Sequence, residues 1–458
     1  MKNNFLLTIL FFGFNYLVLS QAIPGTLNWY NGEGVGMHTN KAYKLLKKRK
    51  SKEIIVAVID SGVDIEHEDL KDKIWTNSKE IPNNKKDDDN NGFIDDIHGW
   101  NFLGNSKGEN MNEARLEKTR ILAKLAPKYE GINPQEIKSD AEYELYLEVL
   151  ASVEEDRAMY EPYMDMLNKG LLDPETAKYI NDQINFNLNP DYDDRTLIGD
   201  NPEDLNDKKY GNPDVEGPDA LHGTHVAGII GANRTNNLGV EGVADNVKIM
   251  SVRTVPNGDE HDKDVALAIR YAVDNGAKVI NMSFGKSYSP RAKWVYEAMA
   301  YADSKGVLLV HAAGNDAKDI DLEPNFPTEK YDFQTSDLTH IITVGASTRN
   351  DNESIVASFS NYGKGQVDVF APGFEIYNTV PQSAYMNLQG TSMASPMVAG
   401  MAALLASYFP SLTMSQIKDA IVKSVVVKKP LIDLCNTGGV VNVVNAVKYC
   451  QKLEKSKK

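Results

Sequence analysis

Two cysteines in 458 residues are too few for a disulfide-stapled scaffold, so the fold must rest on an apolar core. Positive charge is also scarce. Against 64 Asp and Glu stand 49 Lys and Arg, a formal charge of −15. The basic clusters are confined to Lys47-Lys48-Arg49-Lys50 and the last few residues, which gives no footprint for nucleic acid. Beyond Leu19 no apolar run is long enough to cross a bilayer, and no internal repeat is visible. What is present, 42% hydrophobic and 25% charged residues, is the composition of a globular protein with ample core material.

The first residues read as a targeting segment. Lys2 supplies a basic start, Phe5 to Leu19 an apolar core, and Ser20-Gln21-Ala22 the small residues of a cut after Ser20. Residues 1–20 are therefore expected to be a signal peptide, and the mature chain to be secreted or periplasmic. No cysteine lies near the cut, so no lipid or other membrane anchor is expected. Cys435 and Cys450 leave two readings open. One is a bridge, whose loop of about 15 residues would contribute on the order of 3 kcal/mol; the other is a pair of free buried thiols. Residues 451–458 read as a basic tail.

Apolar, β-branched runs alternate with helical stretches along the rest of the chain. Strands are expected at Ile54–Ile59, Lys248–Val252, Val279–Met282, Val307–His311, Ile341–Gly345 and Val367–Ala371, with helices such as Val265–Asp274 and Arg291–Ser304 between them. That alternation predicts an α/β fold, a mostly parallel sheet between helical layers.

Three segments carry chemistry. Val58-Ile59-Asp60-Ser61-Gly62 puts a carboxylate after a strand. His222-Gly223-Thr224-His225-Val226-Ala227-Gly228 puts an imidazole at a helix entrance, and Gly390-Thr391-Ser392-Met393-Ala394-Ser395-Pro396 puts a hydroxyl at the start of another helix. A serine hydroxyl is a weak nucleophile until a histidine takes its proton and a buried acid orients that histidine. A helix N-terminus favours the negative charge that then develops, and Pro396 suits a first helical turn, where its missing N–H costs nothing. In the order Asp60, His222, Ser392 these segments resemble the subtilisin-like serine proteases.

The resemblance covers about residues 28 to 450 and implies a subtilisin-like three-layer sandwich acting as a secreted endopeptidase on protein or peptide substrates. It implies Asp60, His222 and Ser392 as the triad, and Asn315, in Ala312-Ala313-Gly314-Asn315, as the oxyanion donor. Ser283-Phe284-Gly285 matches the segment that pairs with the substrate backbone. Ala312, Ala313 and Gly314 match the opposite wall, and Asn325-Phe326-Pro327 the pocket floor. Phe284 stands where leucine is usual, and Asn325 where glycine is common. Asp316, Asp319, Asp321 and Glu323 would either charge the pocket rim or point outward from a solvated loop. A monomer is expected.

Two departures accompany the resemblance. No N-terminal prodomain of the usual kind is expected ahead of Asn28-Trp29-Tyr30, and 162 positions separate Asp60 from His222, where relatives often need a few dozen. The extra residues, 103–212, are highly charged and largely helical in pattern. Ser139-x-x-Glu142 suggests a capping box ahead of Tyr143, Tyr146, Leu147, Leu150 and Val153. Asp173-Pro174-Glu175 suggests another helix start, and Asn187 to Pro218 a long loop.

Asp87, Asp89 and Asn91 offer oxygens on alternate residues with Gly92 at the sixth place, a layout that resembles a calcium loop. Its twelfth residue is His98, so Asp95 or Asp96 would have to close the site; an acidic solvated turn is the other reading. The resemblance adds Asp69 as a ligand of a second site with the loop around Asn233–Val240. Two further functions stay open: a restricted or tripeptide-releasing peptidase whose extra segment occludes the cleft, and a non-catalytic, calcium-bound interaction protein.

Overall fold

The computed structural model describes residues 27–132 and 140–456. Residues 1–20 and Ser139 lie outside the described residues.

The strands are β1 (Ile54–Asp60), β2 (Gly99–Asn101), β3 (Val247–Arg253), β4 (Val279–Met282), β5 (Leu308–Ala312), β6 (Ile341–Ser347), β7 (Val369–Pro372), β8 (Ile376–Val380), β9 (Ala384–Leu388), β10 (Val426–Val427) and β11 (Gly439–Val440). Nine of them form one sheet in the order β10-β11-β7-β6-β5-β4-β1-β3-β2, parallel except for β10 with β11, while β8 and β9 form a separate antiparallel hairpin. The helices are α1 (Thr39–Leu46), α2 (Glu117–Tyr129), α3 (Ala141–Asn168), α4 (Pro174–Asp182), α5 (Leu221–Gly231), α6 (Asp262–Asp274), α7 (Ala292–Ser304), α8 (Thr391–Tyr408), α9 (Met414–Val422) and α10 (Val443–Ser456).

The two-residue period of a strand builds the layers. Val56 and Val58 of β1 enter one core with α1, α5, α8, α9 and α10, while Ala57 and Ile59 enter the other with α6 and α7. The result is the expected α/β sandwich with helices on both faces of a mostly parallel sheet. Helix α8 is apolar around its whole circumference and almost wholly buried, as a helix in the middle of a core must be. The six expected strands are all present. β2 and β8 to β11 are additional, and each is five residues or fewer.

The described residues of 103–212 include three α-helices. Helices α2 and α3 close a core of their own with Ile121, Leu122, Leu125, Tyr129, Tyr146, Val149 and Val153, so the aromatic stripe is packing. Leu147 is exposed, one position off that stripe. Asp173 caps α4 by accepting from the Thr176 amide at 3.0 Å. At the other end of the chain, α10 runs through residues 451–456, read from sequence as a tail, and Arg49 pairs with Glu454 at 2.7 Å. The two cysteines are free, Cys435 and Cys450 lying buried in different cores, so the bridge is not formed.

Candidate active site

Asp60 ends β1 and is buried. Its Oδ1 accepts from the Ser61 amide at 2.8 Å and from His222 Nδ1 at 2.7 Å. A carboxylate can only accept here, so the proton sits on Nδ1 and leaves Nε2 able to take another. The approach is close: a Cβ on Gly223 would lie 2.1 Å from the Gly62 carbonyl, and one on Gly62 would lie 2.0 Å from that of Glu216. Burial disfavours the charged His222 ring, but the Asp60 charge and hydrogen bond outweigh it and hold the imidazole above its ordinary value. The loop after Asp60 is pinned by Arg253, a buried guanidinium that donates to the carbonyls of Ser61 and Met111, each at 2.8 Å. Sequence alone did not single out Arg253.

Ser392 is the second residue of α8, and its Oγ donates to the Ser283 carbonyl at 3.1 Å. Among the described residues no hydrogen bond joins it to His222. Such contacts are often loose in a site without substrate. Helix α8 starts at Thr391, so Pro396 lies beyond the first turn, and its missing N–H orphans the Ser392 carbonyl four residues back. Ser283 Oγ supplies the donor at 2.9 Å, and is itself held by Asn281 Nδ2 at 2.9 Å. The end of β4 is thereby fastened to the head of α8.

Asn315 is exposed, but its Oδ1 accepts from the Thr391 amide at 2.9 Å and from Thr391 Oγ1 at 3.0 Å. Because the Thr391 amide can only donate, the oxygen end of the carboxamide is fixed and Nδ2 is left without a protein partner among the described residues. The Ser392 amide, in the first turn of α8, is likewise free there. Two N–H donors thus converge at a helix N-terminus. Thr391, buried inside the Gly-Thr-Ser motif, is the orienting residue that the sequence reading overlooked.

On the substrate-pairing segment, Gly285 is exposed and its backbone makes no hydrogen bond among the described residues. The Phe284 side chain is buried in the core on the α6–α7 face, and its carbonyl accepts from His311 Nε2 at 2.8 Å, so it turns away from the cleft. On the other wall Ala312 and Ala313 are buried and Gly314 is half-buried. Between the walls stands Asn325. A Cβ on Gly285 would lie 2.6 Å from its Oδ1, one on Gly314 3.2 Å from its Nδ2, and that Nδ2 donates to the Ala313 carbonyl at 3.1 Å. The nearby acids are mostly occupied. Asp321 accepts from the Gly365 amide at 2.7 Å, Asp319 from the Asp321 amide at 3.0 Å, and Glu323 pairs with Lys318 at 3.0 Å.

Of the candidate metal ligands, Asp87 and Asp89 come together with Glu80, each presenting a carboxylate oxygen within 4.8 Å of the others. Glu80 lies outside the loop pattern, which is why the spacing did not reveal it. Asp96 is not in this group. It accepts from Tyr271 Oη at 2.7 Å and from Asn77 and Asn91 Nδ2 at 3.0 Å, and burial pushes its carboxyl up to about 6. Asn91 gives its Nδ2 to Asp96, while its Oδ1, the atom a cation would use, accepts from the Phe93 amide at 2.8 Å. Asp69 is elsewhere, its oxygens accepting from Asn236 Nδ2 at 2.7 Å and the Val240 amide at 3.0 Å.

Known proteins are similar to this chain in sequence and fold. The Thermophilic serine proteinase of Bacillus sp. (strain AK1) is 41% identical over 219 residues, 48% of this chain and 49% of that protein, so the match spans about half the relative's length. Thermitase of Thermoactinomyces vulgaris is 41% identical over 219 residues, 46% of this chain and 72% of that protein. A solved protease from Pseudoalteromonas arctica PAMC 21717 shares the fold at a TM-score of 0.54 and 21% identity, covering 92% of this chain and 97% of that one. Residues 51–447 match the Subtilase family along most of the chain, and the protein therefore belongs to that family of subtilisin-like serine proteases.

Proposed function

We propose that this protein is a secreted serine endopeptidase that cleaves peptide bonds through an acyl-enzyme on Ser392. The observation that carries the reading is the buried Asp60 carboxylate fixing the His222 tautomer at 2.7 Å, with a serine and two N–H donors that have no partner among the described residues at the head of α8. Ser392 Oγ leaves the Ser283 carbonyl and attacks the scissile carbonyl as His222 Nε2 takes its proton. Asn315 Nδ2 and the Ser392 amide receive the oxyanion, and Asp60 stabilises the imidazolium. His222 returns the proton to the departing amine, and water releases the acyl group by the same route. A non-catalytic interaction protein would have no use for an Asn315 locked by Thr391 with its amide aimed outward.

The substrate backbone lies along Ser283 and Gly285, opposite the Ala312–Gly314 wall. Asn325 fills the floor, so the residue before the cut is small. A structural calcium fits Glu80, Asp87 and Asp89: these are hard oxygen donors, and the nearest cation is Lys79, 3.8 Å from Asp89. Bound there, the ion would cross-link residues 80–89 and add stability. Secretion rests on the sequence pattern of residues 1–20. Among the described residues no helix is long and apolar enough to cross a membrane, and we take the enzyme to act as a monomer. The test is hydrolysis of a blocked peptide anilide by the wild type, Ser392→Ala and His222→Ala. Each variant should lose several orders of magnitude in turnover with its melting temperature retained, because triad members act as a unit. Near-wild-type turnover in either rejects the mechanism.

A further inference from the structure

The sheet leaves a slot one strand wide beside the candidate triad. β1 lies between β3 and β4 and ends at Asp60, while the chain continues past β3 through residues 254–260 and past β4 through 283–286. On the first continuation, alternate residues turn toward the segment that leads into α2. The Asn257 amide donates to the Asn112 carbonyl at 2.7 Å, the Ala114 amide to the Asn257 carbonyl at 2.9 Å, and the Asp259 amide to the Arg115 carbonyl at 3.3 Å. Gly258 is a bend with φ +137° whose backbone is not used on that side, and the Glu260 carbonyl meets a side chain of the second continuation. On the second continuation, Phe284 is bonded to His311, and Lys286 exchanges backbone bonds with Phe326 at 2.8 and 3.1 Å, which turns Ser283 and Gly285 to the slot.

Gly258 and Gly285 have free backbone groups among the described residues; Glu260 does not. Lys286 Nζ reaches across the slot and donates to the Glu260 carbonyl at 2.7 Å, and Arg120 of α2 donates to the same oxygen at 3.1 Å. Two edges that flank one missing strand are about 9.5 Å apart, a gap that one lysine side chain and a hydrogen bond can span. The ammonium is buried and anchored further by Glu117 of α2 at 2.6 Å and Asp262 at 2.9 Å. Behind it only a cavity of about 10 Å³ remains, lined by Val295, Phe326 and Pro327, no more than the room of one water.

We infer that Lys286, held in place by α2, is a specificity-determining stop that ends the substrate slot at the third residue on the amino side of the scissile bond. The inference rests on the proposed peptidase reading. The Ser283 carbonyl sits at Ser392 Oγ, so Ser283 pairs with the first residue before the cut and Gly285 with the third. Gly258, on the other edge, takes the second. The fourth residue of an extended peptide would need the Glu260 carbonyl, which two cations already occupy. Longer substrates must bend out of the slot there, and contribute nothing by backbone pairing. The segment 112–120 thereby acquires a role: it carries Arg120 and Glu117 to the end of the slot.

The experiment uses acetylated peptide anilides with one to five residues before the leaving group and the full-length wild-type enzyme. kcat/KM should rise through the third residue, since each backbone hydrogen bond is worth about two- to tenfold, and then change by less than about twofold with the fourth and fifth. In Lys286→Met, Glu117 keeps Arg120 as its partner, and the ratio of kcat/KM between four- and three-residue substrates should climb by about threefold or more, mostly through KM. A purely structural lysine would alter both substrates alike and leave that ratio unchanged. Cleavage by the wild type that keeps rising more than about fivefold at the fourth residue overturns the stop and leaves the peptidase reading intact. Absence of cleavage at every length overturns both.

Discussion

The most distinctive joint in the site is the pairing of Pro396 with Ser283, and Ser283→Ala probes it. The substitution removes a hydroxyl that accepts from Asn281 Nδ2 and donates to the Ser392 carbonyl, both at 2.9 Å. Asn281 is fully buried, and Pro396 cannot supply the N–H that an ordinary helix residue would give that carbonyl. An unsatisfied buried polar group costs about 1–3 kcal/mol, so two of them, one partly shielded, should destabilise the protein by about 2–4 kcal/mol. The informative step is a double-mutant cycle. Pro396→Ala restores the helical N–H and should return about 1 kcal/mol in the Ser283→Ala background while doing little in the wild type. Denaturant melts in a His222→Ala background, which prevents self-digestion, give the four free energies. Additivity of the two substitutions to within about 0.5 kcal/mol would refute the reasoning.

Asn315→Ala should lower kcat about a hundred- to a thousandfold with KM nearly unchanged, and Thr391→Val, which frees Asn315 to turn, should lower it by less; steady-state kinetics decide. The raised His222 value means that kcat/KM falls as pH drops through a pKa above 6.5, because a protonated ring cannot take the Ser392 proton. The stabilisation from its pairing with Asp60 runs the other way, complete below the unfolded value and lost as pH rises through the folded one; a rate inflection below 6.5 contradicts this. Calcium at a hundredfold excess over its Kd should add about 2.7 kcal/mol. Melts with calcium and with chelator should therefore diverge, and Glu80→Gln with Asp87→Asn should close the gap. Asn325→Gly should open the floor between Gly285 and Gly314 and shift cleavage toward larger residues before the cut, read from a peptide library.

The layers were legible because β1, buried on both faces, reads as an unbroken apolar run from Ile54 to Ile59, and β3 and β4 stay mostly apolar around Lys248, Ser251 and Asn281. Asp60, His222, Ser392 and Asn315 were legible because each follows a strand or opens a helix within a distinctive local motif. Short elements such as β10 and β11 hold too few residues to show a period. The site's supports were hidden for a different reason. Thr391, Arg253 and Lys286 act through partners up to 192 positions away in sequence, Ser283 was legible only as part of the substrate-pairing segment and not as the partner of the Ser392 carbonyl, and Glu80 joins Asp87 and Asp89 only once the chain has folded. Phe284 belongs to a motif that does face the cleft, but strand alternation turns it into the core.

The central claim is that Ser392 is a nucleophile activated by His222. A fluorophosphonate probe followed by intact mass and peptide mapping tests it most directly, since the reagent forms a stable adduct only with an activated serine. The account predicts one adduct per chain, located on Ser392, abolished in Ser392→Ala and strongly slowed in His222→Ala. Labelling that persists in Ser392→Ala, or a wild type that takes up no probe, would contradict it.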